Sequence, residues 1–70
     1  MGFYEVLLGI DRAAADTGRR LTMLVRERDP LSAAIEAERL ADRELNDPGV
    51  EYTHAMKVTP VIQPAIALAA

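Results

Sequence analysis

The dipeptide Asp29-Pro30, followed over residues 31–45 by a stretch free of glycine and proline, commits part of this chain to a helix. The Asp29 carboxylate can accept hydrogen bonds from the unpaired amides of a first helical turn. Pro30 fits the first helical position, where its missing N–H costs nothing and its fixed φ is already helical. The stretch itself is rich in Ala, Leu, Glu and Arg, all good helix formers. Asn46-Asp47-Pro48-Gly49 then ends it with poor helix formers and a turn. At 100° per residue, Ser32, Glu36, Arg39 and Arg43 fall on a polar side, while Leu31, Ala33, Ala34, Ala37, Leu40, Ala41 and Leu45 form a wide apolar arc. Alanines near the centre of that arc allow close approach to a sheet. Glu38 and Asp42 sit at its margin, one turn apart, a like-charge pair that is mildly unfavourable unless Arg39 or an outside cation relieves it.

Three further segments read as strands. Residues 3–10 carry Tyr4, Val6, Leu8 and Ile10 on one side and Phe3, Glu5, Leu7 and Gly9 on the other, so both sides are largely apolar and a central position is expected. Residues 19–28 alternate, with Leu21, Met23 and Val25 opposed to Arg20, Thr22, Leu24, Arg26 and Arg28. Between them, residues 11–18 are expected to form a loose hairpin loop, with Gly18 supplying a positive φ. Residues 50–58 place Val50, Tyr52, His54, Met56 and Val58 on one face and Glu51, Thr53, Ala55 and Lys57 on the other. Pro60 is expected to end ladder pairing.

The order strand, strand, helix, strand predicts an α+β two-layer sandwich, a three-stranded antiparallel sheet in order 2-1-3 with one helix on one face. The first two strands make a hairpin, and a right-handed crossover through the helix returns the third strand beside the first. Residues 1–60 are expected to form this single ββαβ domain. Residues 61–70, Val-Ile-Gln-Pro-Ala-Ile-Ala-Leu-Ala-Ala, form an apolar C-terminal tail suited to packing on its own sheet or a partner's.

Seventy residues leave little core to offset chain entropy, and domains of this size commonly draw on disulfides, a metal or a partner. Cysteine is absent, and His54 is the only histidine, so disulfides and thiolate zinc sites are excluded and no cofactor is expected. Tight packing or self-association is then the expected source of the extra stability. No apolar run reaches the roughly 18 residues of a membrane span, and the N-terminus lacks a secretory pattern, so a cytoplasmic protein is expected. Net charge is +1 over residues 1–28 and −4 over residues 29–70, too mild a polarity for a nucleic-acid-binding tail.

Candidate chemistry is sparse. His54 falls on the buried face between Tyr52 and Met56 in this register, and a structural or partly exposed histidine is expected. Ser32 lies in the first helical turn, where capping explains it. Glu5 and Glu51 are possible neighbours on the outer sheet face, but as solvated surface carboxylates. No catalytic or metal-binding constellation is present, so a non-enzymatic reading is expected. The sheet face opposite the helix has no cover within residues 1–60 and is expected to show Phe3, Leu7, Leu24 and Ala55 inside a charged rim. With Ile62 and Ile66 of the tail, these are the candidate interface, facing a second copy of the chain or another protein. The alternative is a nucleic-acid contact through Arg19, Arg20, Arg26 and Arg28. It is less favoured, because sheet-surface readers need stacking rings among the basic groups.

Overall fold

The computed structural model describes residues 1–45, 47 and 49–62. Strands β1 (Gly2–Arg12) and β2 (Ala15–Glu27) form a hairpin, helix α1 (Pro30–Arg43) follows, and β3 (Glu51–Val61) returns along β1. The sheet is antiparallel throughout, in the order β2-β1-β3, and the architecture is the expected ββαβ arrangement of one helix and three strands.

The helix starts as its sequence requires. Asp29 is extended, at φ −153°, and its carboxylate accepts from the Ser32 N–H at 2.7 Å and from the Ser32 hydroxyl at 3.2 Å. These hydrogen bonds, led by the backbone N–H, hold the Asp29 carboxyl below the usual carboxylate range. Ala33, Ala37 and Ala41 form the buried stripe and lie against Val6, Leu8 and Val25. Tyr4, Leu21, Met23, Leu40, Ala55 and Val58 close the margins of this core. Val6 and Leu8, the largest fully buried side chains, contribute about 1.5–3 kcal/mol each by the usual value for burying an aliphatic side chain. Leu31 does not join the arc and stays exposed on the first turn.

The hairpin departs from the loose loop expected over residues 11–18. Asp11 pairs with Asp16 and Arg12 with Ala15, which leaves Ala13-Ala14 as a two-residue turn. Both alanines have positive φ, 50° and 64°, the pattern of the twist-matched turn usually made by Asn-Gly. The extra length is absorbed within β2, because the pairing passes from Gly9–Arg20 to Asp11–Asp16 and leaves Thr17, Gly18 and Arg19 opposite Ile10. Gly18 takes φ +80° in this bulge, and the Thr17 hydroxyl donates to the Ile10 carbonyl at 2.6 Å.

A second bulge corrects the expected facing of β3. Leu7 pairs with Lys57 but Leu8 pairs with Ala55, so Met56 is an inserted residue. An extra residue in a period-2 ladder exchanges the two faces on either side of it. Thr53 and Ala55 therefore turn toward the helix, and Tyr52 and His54 turn away from it. Val58, beyond the bulge, returns to the core opposite Val6. Pro60 does not stop the strand. It pairs with Tyr4, and β3 continues to Val61, one residue past the expected domain limit of 60.

The carboxylates of Glu38 and Asp42 find partners on this re-faced strand. Asp42 Oδ1 accepts from the Thr53 N–H and from the Thr53 hydroxyl, each at 2.8 Å, and Glu38 Oε2 accepts from the Ala55 N–H at 2.8 Å. Both amides point away from β1, along the free edge of the sheet. The two acids that crowd each other on the helix thus close an edge strand, and the donors of Thr53 and Ala55 rather than a cation satisfy them.

Candidate interaction surface

The face of the sheet opposite the helix is read directly from the strand register. Phe3 lies between Arg26 and Val61, Glu5 between Leu24 and Thr59, Leu7 between Thr22 and Lys57, and Gly9 between Arg20 and His54. No described residue packs over this surface as α1 packs over the other. Leu24 is 61% exposed, and Phe3, Met56 and Val61 are also exposed. The Arg26 guanidinium carbon lies 6.0 Å from the Phe3 ring centroid, at the outer limit of a cation–π contact.

Of the expected interface residues, Phe3, Leu7 and Leu24 share this face. Ala55 does not, because the Met56 bulge turns it toward the helix layer, where it packs on the core. Ile62 follows β3 and is 86% exposed. Ile66 lies outside the described residues. The bulge brings Tyr52, His54 and Met56 to the outer face in Ala55's place. Simple alternation could not find them, because a bulge leaves no mark in a period-2 pattern.

His54 does not occupy the expected buried position. Its ring lies over Gly9, where an added Cβ would come within 2.6 Å of the imidazole Cε1. Its Nδ1 lies 2.9 Å from Asp11 Oδ2. Glycine at residue 9 is what leaves room for the ring. The pair is partly exposed, a hydrogen bond at the outer surface of the sheet.

Glu51 also moves. It faces the helix side at the hairpin end, 5% exposed, where Arg19 donates to it and Arg12 approaches at 3.5 Å. Glu5, opposite Thr59, lies toward the other end of the sheet, so the two carboxylates are not neighbours. Arg12 in turn pairs with Asp47 at 2.9 Å. Arg19, Glu51 and Leu45 help line a cleft of about 220 Å³ with Ile10, Leu21 and Glu44. That is smaller than the roughly 300 Å³ lower bound of ordinary small-molecule sites.

The four arginines considered for anion contact do not form one free row. Arg19 is committed to Glu51 on the helix side. Arg20 makes a two-pronged contact with Asp16, at 3.0 and 3.1 Å. The Arg20 hydrogen bond is the main reason the Asp16 carboxyl is lowered to about 2, with the Gly18 N–H assisting. Arg26 and Arg28 remain exposed. Among the described residues, no group of three or more His, Asp or Glu is placed to hold a metal ion, and no helix is long and apolar enough to cross a membrane. Comparison of the chain with protein-family models, with curated proteins and with solved structures finds no significant match.

Proposed function

We propose that this chain is a non-enzymatic protein-interaction module that associates with a second copy of itself through the outer face of its sheet. The observation that carries this reading is the contrast between the two faces. The helix buries Val6, Leu8 and Val25 on one side, while Leu24, Phe3, Met56 and Val61 on the other stay exposed around a half-buried Leu7. An apolar centre rimmed by Glu5, Arg20, Arg26, Thr59 and Lys57 has the composition of a contact surface. Stacking two such faces would supply the second core layer that a chain of this length lacks. The basic residues support a nucleic-acid reading less well, since Arg19 and Arg20 would first have to leave Glu51 and Asp16.

Light scattering over a wide concentration range tests the proposal. Reversible association is expected, and Leu7→Glu should weaken the face contact at least about tenfold, because the new carboxylate would lie in the stacked interface. In the free chain Lys57 stands opposite residue 7 and can pair with that carboxylate, so the fold should survive. A strictly monomeric protein, or association indifferent to Leu7→Glu, would overturn the proposal.

A further inference from the structure

The two edges of the sheet are treated differently. On β3, Thr53 and Ala55 aim their N–H groups outward and give them to Asp42 and Glu38. Further along the same edge, beyond the bulge, Pro60 has no N–H to offer. A strand guarded by two helix carboxylates and a proline cannot accept another strand along its length.

The register then fixes which groups β2 turns outward. Thr53 and Ala55 pair with Ile10 and Leu8, so the backbone groups of those β1 residues point toward β2. Leu8 pairs with Leu21, Val6 with Met23 and Tyr4 with Val25, so these β2 residues are bonded to β1. The residues between them, Thr22, Leu24 and Arg26, direct N–H and C=O away from the sheet. Among the described residues nothing bonds to those groups, and no proline, inward-turned charge or bulge interrupts β2 between Leu21 and Glu27.

We infer that this edge pairs with β2 of a second copy, antiparallel about a two-fold axis at Leu24, to give a continuous six-stranded sheet. The segment is self-complementary in that register. On the outer face Leu24 meets the partner's Leu24, and Thr22 meets the partner's Arg26. On the helix face Met23 meets the partner's Val25, and Leu21 meets the partner's Glu27. No like charges face each other from residue 21 to residue 27, and cross-strand apolar pairs of this kind add stability. Arg20 meets the partner's Arg28 only at the ends, and Asp16 already matches Arg20. Because β3 is closed, pairing stops at two copies instead of running on as a fibre. This goes beyond the face contact proposed above and uses different atoms, so edge-paired dimers can also stack face to face.

Amide hydrogen exchange by NMR at several concentrations tests the inference. At concentrations where scattering shows association, the amides of Thr22, Leu24 and Arg26 should exchange at least about tenfold more slowly than in dilute solution. Thr22→Pro, which deletes an outward N–H and leaves Phe3, Leu7 and Leu24 in place, should halve the associated mass. Leu7→Glu should leave the edge protection intact. Edge amides that stay fast in an associated sample overturn the inference while the face contact stands. Slow edge amides with association indifferent to Leu7→Glu overturn the face contact and uphold the edge. A monomer at every concentration overturns both.

Discussion

Asp42 holds Thr53 twice, accepting from its backbone N–H and from its hydroxyl at 2.8 Å each, and so binds the last turns of the helix to the outer edge of the sheet. Thr53 is almost fully buried, so water cannot replace this acceptor without local opening. Asp42→Ala should lower stability by about 1–3 kcal/mol, the cost of leaving buried donors unpaired. Asp42→Asn keeps an acceptor oxygen and should lose less. Chemical denaturation of both variants measures the difference. Equal losses would mean that the contact contributes through charge rather than through the hydrogen bonds.

The hairpin turn is the clearest place to gain stability. Ala13 and Ala14 both hold positive φ, a conformation that costs about 1–2 kcal/mol for a residue with a Cβ. Replacing them together, Ala13→Asn with Ala14→Gly, should stabilise the protein by about 1–2 kcal/mol. For a domain of this size that raises Tm by roughly 4–8 °C per kcal/mol. The Ala13 N–H bond to the Val50 carbonyl is a backbone contact and survives the change. A Tm unchanged or lowered in a thermal melt would show that the turn is not under this strain.

Acid should act on the hairpin through Asp16. Its carboxyl is depressed to about 2 in the folded chain by the Arg20 hydrogen bond, from an ordinary value of 3.8. A depressed folded-state value means that the contribution is complete above pH 4 and is lost as pH falls through about 2. The effect on stability should be small, because the pair is exposed to solvent. A carboxyl-carbon NMR titration should place the Asp16 midpoint near 2 and return it toward 3.8 in Arg20→Gln. A midpoint unmoved by that substitution would assign the shift to the Gly18 amide instead.

Much of the scaffold was legible from local chemistry. Asp29-Pro30 defined the helix start, the alanines defined its buried stripe, and the alternation of Leu21, Met23 and Val25 defined the core face of β2. The facing of β3 turns on the extra residue at Met56. Without it, Ala55 would belong to the outer face and His54 to the core. With it, both change sides, and Tyr52 and Met56 join the candidate surface. The hairpin depends on register in the same way. The excess length over residues 11–18 was visible, but whether a loop or a bulge would absorb it depends on the pairing of Gly9 with Arg20.

The sequence by itself determined the element types, their order and the sheet order β2-β1-β3. Capping, periodicity and the central character of the most apolar strand act through neighbouring residues and leave local marks. Only the tertiary structure decided which face each β3 residue serves and which sheet edge the helix closes. Facing depends on register between strands some fifty residues apart in the chain, as in the pairing of Leu7 with Lys57. The closed edge depends on Glu38 and Asp42 meeting donors that exist only once β3 has docked. As an isolated helix that pair is a like-charge repulsion. Against Thr53 and Ala55 it becomes what closes the edge of β3.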